Sequence, residues 1–180
     1  MKIITLVLFL IFNTTYIQAQ KISVGFRIEP SLVALEKENV FTPYAFYASA
    51  TYHPIKLLSL ELRPGFLFAG ENYSGFEVGA FSKLNIIPNN FFLIAGINNH
   101  SNLSSGHNGY GTLSTEIFFW AVGIGYQKDE HLSVDLTYHS PTDGVYGYYV
   151  QIEPPDIGRI KAKKLKSVLK LGICLAWDIL

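Results

Sequence analysis

The 180-residue chain is poor in the residues that usually advertise chemistry or a nucleic-acid surface. It has one cysteine, Cys174, one methionine and two tryptophans, and only 16% of its residues are charged. A lone cysteine excludes an internal disulfide framework and a cysteine-based zinc cluster. The 14 basic residues balance 14 acidic ones, so no basic surplus points to nucleic acid. An apolar content of 49% argues against disorder. No internal stretch reaches the roughly 18 continuous apolar residues of a membrane helix. Metal-ligand spacing, a phosphate-cradling glycine loop and a dinucleotide fingerprint are also missing, so no metal or other cofactor is expected. What the chain has in quantity is apolar and aromatic side chain, on a length that suits one domain.

The N-terminus stands apart. Met1 and Lys2 precede an apolar run over residues 3–12, then a polar stretch over 13–18 and the small residue Ala19. Charge, apolar core and cleavage site in that order read as a signal peptide at 1–19. The mature domain is then 20–180. No cysteine follows the apolar core, so a lipid-anchored N-terminus is not expected.

From Lys21 onward the dominant period is two, the repeat of a strand with two different faces. In 21–29, Ile22, Val24, Phe26 and Ile28 alternate with Lys21, Ser23, Gly25, Arg27 and Glu29. The pattern returns at 44–52, 58–69, 75–86, 118–127, 132–139 and 169–179. Residues 91–98 also read as a strand, but both of their faces are largely apolar. The count is eight. Links at 52–58, 86–91 and 126–132 are short turns, whereas 30–43, 99–114 and 140–166 are long, with a tighter one at 70–74. Short turns at one end and mostly long loops at the other, on an even number of strands of about 9–11 residues, mark a transmembrane β-barrel.

A water-soluble barrel with its apolar face inward is the competing architecture. Its solvent coat would have to be made of sets such as Phe119, Ala121, Gly123, Gly125 and Gln127, which suit a narrow, side-chain-filled interior better. Every strand charge falls on that small polar face: Lys21, Arg27, Glu29, Glu61, Arg63, Glu77, Lys83, Asp135, Lys170 and Asp178. A basic residue facing lipid at the midplane costs about 2–4 kcal/mol. The apolar face adds aromatics near strand ends, with Tyr52, Tyr126 and Trp177 towards the turns and Phe66, Phe68, Phe118, Trp120 and Tyr138 towards the loops, as interfacial girdles require. The expected fold is an all-β, eight-stranded antiparallel up-and-down transmembrane barrel behind a signal peptide.

In strand number, turn asymmetry, leading segment and alternating last strand, the chain resembles the small outer-membrane β-barrels of the OmpA and OmpX type over residues 21–180. It departs from them in ending on Leu180, with Trp177 three residues earlier. The resemblance implies a bacterial outer-membrane location with both termini periplasmic, and a monomer.

Function is less legible. Arg27, Glu29, Glu61, Arg63, Glu77, Lys83, Asp135, His139 and Lys170 form a candidate polar network in the lumen, with pairs such as Arg27 with Glu29 or Glu77 and Arg63 with Glu61. It serves as polar packing or lines a narrow ion path, and an eight-stranded interior just wide enough for side chains favours packing. Lipid A deacylases of this general type are characterised by a His-x-Ser arrangement, which period two places on one face. Here His100-Ser101 and His139-Ser140 are adjacent and point to opposite faces, and Ser101, His107 and Glu116 meet only if the loop folds them together. No catalytic residue is assigned, and catalysis is not expected. The segment 140–166 reads as a hairpin projecting above the membrane. Extending the last strand's parity upward turns Arg159, Lys161 and Lys163 outward and Lys164 and Lys166 inward. The outward three are candidates for contact with lipopolysaccharide phosphates, or form a solvated charged rim. Tyr146, Tyr148 and Tyr149 offer anchors for a protein partner by strand addition. The expected roles are therefore structural or surface interaction, with outer-membrane lipids as the first partners.

Overall fold

The computed structural model describes residues 21–36, 38–69, 73–86, 90–103, 116–150 and 158–179, with Tyr149 and Val150 as backbone alone. The expected signal peptide lies outside the described residues. All regular structure among them is β: β1 (Lys21–Ile28), β2 (Ser31–Leu35), β3 (Asn39–Thr42), β4 (Ala45–Ile55), β5 (Leu58–Phe68), β6 (Ser74–Ile86), β7 (Phe91–Asn102), β8 (Glu116–Gln127), β9 (Leu132–Pro141), β10 (Val145–Val150) and β11 (Ile160–Asp178). Eight of them close a ring in the order β1, β4, β5, β6, β7, β8, β9, β11, each antiparallel to its neighbours. Closure comes from β11 returning to β1, with Val24 opposite Trp177 and Ile28 opposite Ile173. A closed ring has no unpaired edge, the condition for strands to cross a bilayer.

The phase matches the alternation in every ring strand. Phe26, Leu62, Val78, Val122, Leu136 and Leu171 are exposed on the outer wall, while Arg27, Glu61, Arg63, Glu77, Asp135 and Lys170 are buried inside. The two-faced stretch at 91–98 resolves the same way, with Phe91, Leu93 and Ala95 outward and Phe92, Ile94 and Asn98 inward. Both ends of the described chain lie at the short-turn rim, where Lys21 pairs with Asp178.

The loop side departs from expectation. The segment 30–43 is not a loop. β2 keeps the register of β1 against β11, with Ser31 opposite Lys170 following Ile28 opposite Ile173. Pro30 lacks an N–H, yet its carbonyl accepts from Leu171 N at 2.9 Å, so the strand runs on. β3 pairs with β2 and feeds β4 after a one-residue shift at Pro43, and Leu35 N donates to Glu38 O at the tip. The two prolines that read as strand ends are punctuation inside one long hairpin. β10 pairs with the upper part of β11, giving the projecting hairpin that the sequence suggested. One wall of the barrel thus continues upward as a four-stranded sheet in the order β10, β11, β2, β3.

The last strand carries a second correction. Between Leu165 opposite Leu35 and Ser167 opposite Ala34, Lys166 is an extra residue, a β-bulge. Both Leu165 and Val168 are buried, which simple alternation forbids. Above the bulge the phase is inverted: Lys164 and Lys166 are exposed on the outer side, while Lys161 and Lys163 share the side of Leu165 and are half-buried.

Candidate functional site

The barrel interior has three zones, each set by which inward residues share a height. At its centre is a network of four cations and four carboxylates, so its formal charge is zero. Arg27, fully buried, donates to three acids: Nε to Glu29 Oε1 at 2.8 Å, Nη2 to Asp135 Oδ2 at 2.6 Å and Nη1 to Glu61 Oε1 at 3.4 Å. Arg63 donates to Glu61 Oε2 at 2.7 Å and to Glu29 Oε1 at 3.3 Å, and its guanidinium lies 4.2 Å from the centre of the Phe81 ring. Lys83 approaches Glu61 Oε2 at 2.9 Å. Lys170 pairs with Glu77 and donates to Tyr47 Oη at 2.9 Å, while Tyr47 donates to Glu77 Oε2 at 2.6 Å. Burying a charge costs several kcal/mol unless it is paired and hydrogen-bonded. Sharing partners across six strands is how so narrow a lumen meets that condition.

All nine residues expected in the lumen are buried there, but their partners differ in part from expectation. Arg27 pairs with Glu29 as expected, whereas Glu77 belongs to Lys170, Tyr47 and His100. His139 has no carboxylate partner among the described residues; its Nε2 is bonded to Thr137 Oγ1 at 3.0 Å and its ring meets Phe81 and Phe119 edge-on. His100 was missed. β7 runs four residues beyond the expected strand end, so His100 enters the lumen fully buried, 3.0 Å from Glu77 Oε1 and 2.9 Å from Asn102 Oδ1. The signal available was parity, since His100 falls on the phase of Phe92, Ile94 and Asn98. Tyr47 falls on the inward phase of the alternation at 44–52, but nothing in that pattern marks it as a network member.

Towards the loops the lumen is capped by apolar side chains: Val33, Leu67, Ile117, Phe119, Leu165 and Val168, with Tyr73 and Tyr146 above them. Tyr73 stacks on His100 at 4.3 Å and meets Tyr146 edge-on at 5.9 Å, and the Tyr146 carbonyl accepts from Asn102 Nδ2. Tyr146 is therefore part of the cap and not an exposed anchor. Tyr148 is exposed, and the side chain of Tyr149 lies outside the described residues.

Towards the turns the interior opens into a vestibule of about 430 Å³ lined by Thr51, His53, Ser59, Lys83, Phe92 and Cys174, among others. His53 bridges Ser23 and Ser59 at 3.2 and 2.9 Å. At the rim, the Asp129 carboxylate accepts the backbone N–H groups of His131 and Leu132, which hold its pKa below the usual range.

The two histidine-serine pairs divide between faces, with His100 and His139 buried in the lumen and Ser140 exposed outside. Ser101 pairs with Glu116 across β7 and β8, and His107 lies outside the described residues. Of the three outer-rim cations expected, Arg159 is exposed just before β11, and Lys161 and Lys163 stand on the opposite side from that expected, because of the bulge.

No protein-family model matches the chain, and a search of curated sequences finds no significant relative. In structure it is similar to Neisserial surface protein A (12% identity, TM-score 0.47, covering 86% of this chain and 96% of that one). It is also similar to the N-terminal β-barrel domain of Pseudomonas aeruginosa OprF (13%, 0.48, 89% and 100%). A third similar structure is the P. aeruginosa outer membrane protein OprG (12%, 0.48, 89% and 97%).

Proposed function

We propose that the chain is a monomeric outer-membrane β-barrel with a closed lumen, its termini periplasmic, whose role is structural or surface interaction through the loop-side sheet and not catalysis. One observation carries this: between the turn rim and the bulge of β11, the ring presents apolar side chains outward all round, while the charges at its centre are turned inward and paired there. A water-soluble barrel would reverse that division. The apolar cap above the ion network favours a plug over a conducting path, and the separation of histidine from serine favours an inert wall over a hydrolase. β3 and β10 each pair on one side only among the described residues, which leaves strand edges for a protein partner.

The test is expression of the full chain with its leading apolar segment. Expected are recovery from the outer-membrane fraction, an N-terminus at Gln20, migration on gels that changes on boiling, no stepwise conductance in planar bilayers and an unchanged lipid A mass spectrum. Discrete conductance would establish the pore reading instead, and a lipid A fragment missing one acyl chain would establish the deacylase reading.

A further inference from the structure

The bulge in β11 re-aims two lysines at a particular height on the outer wall. Below it, one continuous apolar row crosses four strands: Phe41 opposite Leu32, Leu32 opposite Leu169, Leu169 opposite Tyr138. The next outward positions carry hydroxyls, Ser167 on β11 and Ser140 on β9, the latter beside Trp120 of β8. Above those stand the exposed side chains of Lys166 and Lys164. Apolar, then hydroxyl, then cationic is the order met on leaving a bilayer core for a phosphorylated headgroup layer.

We propose that this outer side of the bulge binds the phosphate of an outer-leaflet lipid, with Lys164 and Lys166 as its cations, Ser167 and Ser140 as hydroxyl donors, and the row from Phe41 to Tyr138 as the bed for its acyl chains. The inference rests on the outer-membrane reading and adds a ligand class and a site to it. Lys166 is held in place by donating to Glu36 O at 3.4 Å, while the Glu36 N–H donates to Lys164 O at 3.0 Å. The Glu36 and Glu38 side chains are both exposed at the same hairpin tip. Under strict alternation through this stretch Lys164 and Lys166 would share the inward phase of Val168, so the bulge decides which side of the strand the two lysines take.

The probe is diphosphoryl lipid A in detergent micelles, measured against the purified full-length protein. The double variant K164Q/K166Q is expected to lose roughly thirtyfold in affinity, at about one factor of five per lysine near an anionic layer. K161Q/K163Q removes the same charge from the opposite side of the strand and is expected to bind as the parent does. K164R/K166R restores binding, and lipid A stripped of phosphate binds as weakly as K164Q/K166Q. Boiling-dependent gel migration reports whether each variant is folded. Unchanged affinity in folded K164Q/K166Q, or equal loss in both glutamine pairs, overturns the site. Full competition by millimolar inorganic phosphate overturns the lipid as its occupant. A parent chain that stays soluble without detergent overturns the membrane reading itself, whereas normal membrane insertion without selectivity for phosphate overturns this inference alone.

Discussion

Arg27 shows how much a single position can carry in a lumen this narrow. Its guanidinium lies within 3.4 Å of Glu29, Glu61 and Asp135 at once, and that of Arg63 lies within 3.5 Å of the same three. Glycine at 172 makes this possible, since a Cβ there would collide with Arg27 Nη2 and Asp135 Oδ1. Replacing Arg27 with methionine keeps the length of the side chain but leaves three carboxylates sharing one fewer cation. We expect a loss of about 3–5 kcal/mol, the range for breaking a buried ion pair from one side. Urea titration of the folded band on unheated gels, or of tryptophan fluorescence, measures it. A loss below about 1 kcal/mol would mean that Arg63 and Lys83 redistribute to cover the deficit, with surface-like weakness for each pair.

At the scale of the strand, the sequence carried the phase almost completely and the extent only in part. Period two is legible because one slipped residue would turn all charges of a strand into lipid, so selection on phase is strict. Extent is not under that constraint above the bilayer. Pro30 and Pro43 look like terminators, yet each sits where the ladder tolerates a missing N–H, and the hairpin continues. The lysine-rich stretch 161–166 has no apolar alternation to reveal that a residue has been inserted, so the inverted phase of Lys161 and Lys163 could not be read from it. His100 was hidden by the same weakness, at the end of a strand whose two faces are both apolar lower down. The phase itself can be tested by depth. Ile173, opposite Ile28 and well below the bulge, is placed to face the hydrocarbon core, and Leu169 lies nearer the rim. Ile173→Lys should cost about 2–4 kcal/mol and Leu169→Lys about 0–1 kcal/mol when unfolded from lipid vesicles. Equal costs at the two positions would contradict the bilayer placement even if the barrel itself were intact.

For the whole molecule, the two ends of the lumen are chemically unlike, and this gives it a direction. The loop end is closed by Val33, Leu67, Phe119 and Leu165 under Tyr146, the middle by ion pairs, and the turn end is an open vestibule. As the closed plug we propose, this interior stabilises the ring without a path through it and leaves interaction with the surroundings to the outer wall and the projecting sheet. The one cysteine reports on this asymmetry without any engineering. Cys174 lines the vestibule, 3.6 Å from Ser49 Oγ, and lies on the turn side of the pairs made by Arg27, which stands opposite it in the ladder. A small charged methanethiosulfonate should therefore modify Cys174 from the turn side of vesicles of known orientation and not from the loop side, with mass spectrometry as the readout. Replacing Tyr146 with alanine thins the apolar cap but leaves the ion network beneath it, so the reaction should stay one-sided in that variant. Modification from the loop side in the parent would mean that small solutes cross the lumen, and the plug would have to be read as a gate.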